Sequence, residues 1–422
     1  MNAHTQRLLT EAETGLIGAF EASGSEDASR LAAIEALRSN GLPTRKVEAY
    51  HYTDLRALMG SGYTVCDRPN ADLALHAMTD YERLLPTVRL PVVNGHYFAD
   101  LAGELPQGVS VVPGAASLGS PGDTLANTTA LLNTAFATDG VNITVAAGTD
   151  VSQLMTIANS FVGETGSIAA TKNSVAVESG AKASIVERFC GKDDVSYLDL
   201  PRLAISIADE AELNYVLSIE EGTLAQRLGL MDVSLGKNAT LNLFVLNAGG
   251  KLARQEINFE VVGEGAELNI RGINLIGGES HIDVTSCITH NVPNTNATET
   301  FRNVATGKGR GVFQGQIKVA QPAQLTDARM ACNTLLLSDE CDFSAKPELE
   351  IFADDVQCAH GATVADLEDS YLFYLRARGI PEERARRLLV KAFVTEIVDE
   401  LEDETIGEAL NGVIDQWLDR NV

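Results

Sequence analysis

Gly180-Ala181-Lys182-Ala183-Ser184-Ile185, Glu210-Ala211-Glu212-Leu213-Asn214, Asn238-Ala239-Thr240-Leu241-Asn242 and Gly265-Ala266-Glu267-Leu268-Asn269 are four copies of one short pattern, the first loose and the other three close. Their alanines, 181, 211, 239 and 266, are 30, 28 and 27 residues apart. A nearly fixed period in this range marks a repeat architecture, in which each lap of chain buries its apolar face by stacking on the next. The runs between the copies alternate apolar and polar residues, as in Asn142-Ile143-Thr144-Val145, Leu203-Ala204-Ile205-Ser206-Ile207 and Glu256-Ile257-Asn258-Phe259-Glu260-Val261. Alternation over this length predicts strands with one buried face. Small residues at the turns, few aromatics and no long intervening helices suit a parallel β-helix. An antiparallel sandwich is the rival arrangement, but it needs unrelated hairpins to share the pattern by chance. The fold class is therefore mainly β, a parallel β-helix over residues 105–365.

Outward from the coil the pattern changes at both ends. Residues 1–104 are read as a mainly helical region. Leu8, Leu9, Ala12, Leu16 and Phe20 recur at helical spacing, and a second helix over Asp27 to Ser39 is ended by Gly41 and Pro43. Residues 366–422 are read as a helical domain. Leu367, Tyr371, Leu372 and Leu375 give a first helix, and Gly379 and Pro381 stop and restart the chain. Leu389, Phe393, Ile397 and Leu401 then form an i, i+4 stripe, and Ile406 to Leu418 give a last helix. A β-helix leaves unpaired strand edges at its ends, so caps are required, from these helical regions or from a partner.

The 422 residues carry 58 acidic and 32 basic side chains, a formal charge of −26. Such a field repels phosphate backbones and anionic lipid, which disfavours nucleic-acid and membrane-surface roles. No apolar run approaches the roughly 20 residues of a bilayer span. The stretch from Met1 to Gly15 carries Glu11 and Glu13 and lacks the basic-then-apolar form of a targeting signal. The expectation is a cytoplasmic protein. The six cysteines, at 66, 190, 287, 332, 341 and 358, include no CxxC pair and are expected to be reduced.

Chemistry-bearing motifs are few. There is no P-loop, no H-E-x-x-H, no G-x-S-x-G and no dinucleotide glycine pattern after a clear strand. Gly307-Lys308-Gly309-Arg310-Gly311 reads as a turn, and His281 and His290 as core or turn residues. Arg45, Lys46, Tyr50, His51 and Tyr52 fit an anion site or a folded cap equally well. The informative pair is Cys358 and His360, two residues apart, whose side chains share a face if the segment is extended. Thiolate and imidazole are both ligands for iron or zinc. Two ligands do not hold a cluster, so a metal role requires donors from elsewhere, with a second chain the natural source. Spacing alone equally allows a packed cysteine and a hydrogen-bonded histidine.

The run from Lys346 to Val364 resembles the C-terminal signature of the SufB/SufD family, as does Leu372-Phe373-Tyr374-Leu375-Arg376-Ala377-Arg378-Gly379-Ile380. So do Gly311-Val312-Phe313-Gln314-Gly315, Val319-Ala320-Gln321, Thr326-Asp327 and Asn333-Thr334-Leu335-Leu336-Leu337, while Pro43-Thr44-Arg45-Lys46 with Tyr52-Thr53 is similar to the SufD branch. Ala365, Tyr50 and His51 depart from the usual Gly, Trp and Lys of the pattern. The resemblance implies a right-handed parallel β-helix between helical ends. It implies a non-catalytic scaffold in iron–sulfur cluster assembly, within a complex of a SufB-like paralogue, this chain and SufC-like ABC ATPases. A nascent cluster would form where the two paralogues meet, with His360 and its neighbour Cys358 at that interface. Iron or a cluster would be held transiently and shared with the partner, and not held stably by the isolated chain. The C-terminal helices would dock the ATPase, with Tyr371, Tyr374, Arg378 and Phe393 as candidate contacts. Two other readings stay open: a β-helix enzyme acting on polysaccharides, which the 5% aromatic content disfavours, and a homomeric scaffold in which the isolated chain forms a homodimer.

Overall fold

The four copies of the repeat lie directly on top of one another. In the computed structural model, which describes residues 8–79, 87–116 and 126–422, Lys182, Glu212, Thr240 and Glu267 are register partners in successive parallel strands. The alanines just before them are fully buried at the corner of each lap, and the leucines just after them, Leu213, Leu241 and Leu268, stack inside the coil with no exposed surface. The column continues upward through Ala297 and Ala328 to Cys358. Among the described residues the strands form two ten-stranded sheets, each lap adding one strand to both, and the main core fills the space between them.

On the outside of the second sheet, the asparagine of each copy makes a ladder. Asn242 donates to Asn214 at 2.8 Å, Asn269 to Asn242 at 3.0 Å, and Thr298 to Asn269 at 3.0 Å. A buried ladder runs parallel to it: Asn247 donates to Asn274 at 2.5 Å and Asn274 to Asn303 at 2.7 Å. An amide carries both donor and acceptor, so one residue type serves every rung.

The expected N-terminal helices are Glu11–Ala22, with a Thr10–Glu13 capping box, and Ala28–Asn40, capped by Asp27 and ended by Gly41 at φ 71°. The region up to residue 104 also supplies strands Val88–Val93 and His96–Tyr97, which open the second sheet. Val109–Pro113 closes the edge of the first sheet by antiparallel pairing. The first seven residues, part of the stretch read for a targeting signal, lie outside the described residues. No described helix is long and apolar enough to cross a membrane.

Between the helices and the coil, residues 44–63 run as a strap over the outer face of the first sheet. Tyr63 and Gly60 bond Gln226, Thr53 bonds His281 and Asp283, Ala49 accepts from Gln314, and Glu48 pairs with Lys346. Beneath the strap, Arg254 is wholly buried, paired with Asp283 and with Glu256 at 3.1 Å, under the Tyr50 ring at 4.4 Å. Glu256 also accepts from Tyr50, Asn127 and Thr129 at 3.0, 2.7 and 2.9 Å. Tyr50 thus has the cap role read for it, while Arg45, Lys46 and His51 lie exposed on the strap.

The C-terminal helices are Asp369–Ala377, Glu382–Thr395 and Glu404–Asn421. The last two lie along the outer face of the second sheet, where Val390, Val394, Ile397, Leu410, Ile414 and Leu418 meet Val216, Phe244, Ile273 and Val304. The buried stripe of Glu382–Thr395 is therefore Ala385, Val390 and Val394, one position round from the expected Leu389 and Phe393. Phe393 sits at the margin, half-buried, with the Arg302 guanidinium 4.8 Å above its ring. Helices thus cover the flanks of the coil, not its far end.

Arg254→Ala leaves Asp283 buried without its counter-charge and is expected to cost about 3–5 kcal/mol. Arg38→Ala, which removes an exposed pair with Glu21, is expected to cost less than about 1 kcal/mol. Urea denaturation of both variants measures the contrast, and faster proteolysis within residues 44–63 of the Arg254 variant reports release of the strap.

Candidate functional site

The coil ends on two strands, Asp342–Ile351 and Gln357–Asp366, each paired on one edge to the lap below. No strand among the described residues pairs with their other edges. Register places Cys358 over Ala328 and His360 over Met330. Both lower residues face the interior and are almost wholly buried, so Cys358 and His360 share the inward-facing side of the last strand, the arrangement expected from their spacing. With no lap above it, this strand is exposed along nearly its whole length.

The two side chains differ in setting. Cys358 is half-buried against the interior, and burial pushes its thiol up from the ordinary value. His360 is exposed and has no hydrogen-bond or ion-pair partner among the described residues. Ile351, Phe352 and Val364 add exposed apolar surface around them. Among the described residues no three His, Cys, Asp or Glu side chains converge in a metal-holding group. Cys358 and His360 are therefore a soft and a borderline donor, half of the set a cluster takes.

One lap down, Met330 and Cys332 face the interior. Gly315 makes room for Met330: a Cβ there would lie 2.4 Å from the Met330 sulfur. Burial pushes the Cys332 thiol up to about 12, and Asn303 donates to its sulfur at 3.2 Å. Beneath Met330 comes Glu299, 1% exposed, with neither carboxyl oxygen hydrogen-bonded within the described residues. Burial raises it to about 7, with Ser286 drawing it the other way. His290 is also buried, bonded to Thr295 at 2.8 Å and pushed down to about 4. His281 is held by Thr53, so both histidines have the core roles read for them.

Beyond the last strand, helix Asp369–Ala377 buries only Leu372. Tyr371, Phe373 and Tyr374 are 60%, 74% and 54% exposed, and the Arg378 guanidinium lies 3.5 Å from the Tyr374 ring centroid. The structure gathers Tyr371, Tyr374 and Arg378 on this helix and sets Phe393 apart on the next. Phe373, the most exposed of the group, was not among the candidates, although its place beside the single buried Leu372 marks the outward face.

Residues 160–393 match the family described as SUF system FeS cluster assembly, SufBD core domain, and residues 19–157 match the SufBD protein N-terminal region. The iron–sulfur cluster assembly protein SufD of Escherichia coli (strain K12) is 30% identical over 409 residues, 94% of this chain and 95% of that protein. An iron–sulfur cluster assembly SufBD family protein of Synechocystis sp. is 27% identical over 405 residues, 90% of this chain and 89% of that one.

A carboxyl whose folded pKa lies above its unfolded value stabilises the fold fully only below the unfolded value, here 4.5 for Glu299, and loses that contribution as pH rises to about 7. Glu299→Gln is therefore expected to match the parent near pH 4.5 and to exceed it above pH 8 by about 3 kcal/mol. Urea midpoints across this range test it, and a pH-independent difference counts against it.

Proposed function

Because the chain belongs to the SufBD family of the SUF iron–sulfur cluster assembly system, we propose that it is a non-catalytic scaffold subunit whose uncovered coil end meets a SufB-like paralogue and helps to hold a nascent cluster. The observation that carries this reading is the placement of Cys358 and His360 on one face of a last strand whose outer edge is unpaired among the described residues. The free edges of Asp342–Ile351 and Gln357–Asp366 offer backbone donors and acceptors to strands of a partner. Iron or the cluster is cargo, held for a time between His360, Cys358 and the partner's ligands. His360, exposed and unpaired, is free to turn its imidazole to a metal. Cys358 must lose a raised proton first, which a cation at the site would favour. A cytoplasmic location belongs to the same reading.

Energy for release comes, in this proposal, from an ABC-type ATPase docked on helix Asp369–Ala377, through Tyr371, Phe373, Tyr374 and Arg378. These aromatics and the arginine are the residue types that dominate interface energetics. Phe393 supports the neighbouring helix against Arg302 and acts on docking only indirectly.

His360→Ala is expected to leave folding and recovery with the paralogue unchanged while cutting reconstituted cluster about tenfold or more. Visible absorbance and iron content of the anaerobically purified complex measure it, and normal loading would remove His360 from the proposal. Phe373→Ser with Tyr374→Ser is expected to lower ATPase recovery on the tagged chain at least tenfold, about 1.4 kcal/mol, with the paralogue still bound. If ATPase recovery persists, the docking surface lies elsewhere. Sedimentation of the chain alone and with the paralogue separates a heteromer from a homomeric scaffold.

A further inference from the structure

At the other end of the coil, five residues with buried side-chain oxygens line one small cavity. It lies where strands of the second sheet turn into the first, has a volume of about 20 Å³, and is lined by Asn159, Thr171, Tyr197, Asp199, Glu221 and Cys190, among others. Asn159 Oδ1 and Thr171 Oγ1 have no hydrogen-bond partner among the described residues, the Asp199 and Glu221 carboxyls face each other within hydrogen-bond reach with no donor between them, and the Tyr197 hydroxyl faces the Gly222 backbone. All five residues are more than nine-tenths buried.

The site is built, not left over from loose packing. The Tyr197 ring stacks on Phe161 with centroids 3.8 Å apart, which fixes its hydroxyl. A Cβ at Gly191 would lie 2.0 Å from that hydroxyl, so glycine is needed there for the oxygen to enter. The ligating residues come from strands Met155–Phe161, Ser167–Val177 and Tyr197–Ile207 and from the turn after Glu212–Glu220.

Its charge is unbalanced. Arg227 Nε lies 3.7 Å from Asp199 and 3.8 Å from Glu221, and the same guanidinium also faces the buried Glu187. Three carboxyl groups thus surround one cation. Burial pushes both Asp199 and Glu221 up, because two facing carboxylates beside a single guanidinium are short of positive charge. A cavity of this size takes one water or one bare ion. A water leaves the charge to a proton shared between Asp199 and Glu221, whereas a cation replaces that proton and also draws on the oxygens of Asn159 and Thr171. A divalent ion demands either more oxygens or its own water shell, and Arg227 nearby makes a single charge sufficient.

We propose that this cavity binds one dehydrated monovalent cation of sodium's size through Asp199, Glu221, Asn159, Thr171 and Tyr197, pinning the first laps of the coil together. Glu221 and Cys190 also line an outer cleft of about 560 Å³ beneath Trp417 and Arg420, which gives the ion a route in.

Thermal unfolding of the full chain at pH 8 in sodium chloride and in choline chloride, at equal ionic strength, tests the site. The parent is expected to melt about 2 °C higher with sodium at ten times its dissociation constant, in a saturable manner. Asp199→Asn and Glu221→Gln, made singly, are expected to lose the difference. Equal melting of the parent in both salts, or a difference retained in both variants, overturns the proposal and leaves a shared proton or a water in the cavity. Should the variants not fold, a high-resolution crystal of the parent grown in sodium decides. Oxygen contacts shorter than the roughly 2.5–3.0 Å of a hydrogen-bonded water support the ion, and contacts within that range overturn it.

Discussion

Everything in this molecule depends on the parallel register that returns each position to the same place one strand spacing higher. Lys182, Glu212, Thr240 and Glu267 are partners in that register, and what holds for them holds for whole columns. A small residue at the corner stays small, an inward leucine stays on a leucine, and an outward asparagine bonds the asparagine below. The consequence is rigidity along the axis, since no lap can shift without breaking its column above and below. It is also directionality: a coil that grows by stacking has a first lap and a last lap, and only their surroundings differ.

The two ends are treated in opposite ways. At the start, antiparallel strands close both sheets, and polar groups from the first laps are folded inward around Arg227. At the finish, the last strands keep their outer edges free. The helices that might have covered that end are held along the flanks, by Arg302 with Phe393 and Glu396 and by Arg271 with Glu400. The strap from the N-terminal region reaches the last lap through Glu48 and Lys346, bracing the end from the side without closing it. An edge that is braced but unpaired keeps its shape while offering its backbone, which is the condition for recognition by strand pairing rather than by a flexible loop.

Legibility in the sequence follows distance along the chain. The repeat was readable because stacking imposes the same residues every 27 to 30 positions, and the pairing of Cys358 with His360 because a strand alternates. Helix boundaries were readable from Asp27, Gly41 and Pro381, whereas the Thr10 cap, which starts the first helix at Glu11 and leaves Leu8 and Leu9 outside it, went unread. The rest depends on contacts that no local pattern encodes. Tyr50 and Glu256 are 206 residues apart, Thr53 and Asp283 230, and nothing in either segment alone announces the other. The face of Glu382–Thr395 that packs was misread by one position because the outer surface of the sheet accepts Val390 and Val394 and leaves the larger Phe393 to the margin. Glu299 gave no signal either, since an isolated acid in an alternating strand reads as outward until the register turns it in.

The uncovered end and the buried acids are two sides of one constraint. A coil interior filled only by leucine and valine would be more stable, yet this one carries Glu187, Asp199, Glu221 and Glu299 wholly enclosed. The first three share a guanidinium and lie beside the closed end, where nothing needs to move. Glu299 stands alone beneath Met330, two laps below His360, with its charge state set by burial. Positive charge arriving at His360 acts on Glu299 through about 10 Å of protein, given two strand spacings, and at that distance a unit charge is worth about 1–2 kcal/mol in a medium of intermediate dielectric. Under the proposed function, a cation held at the open end and a proton on Glu299 would be linked, each weakening the hold on the other.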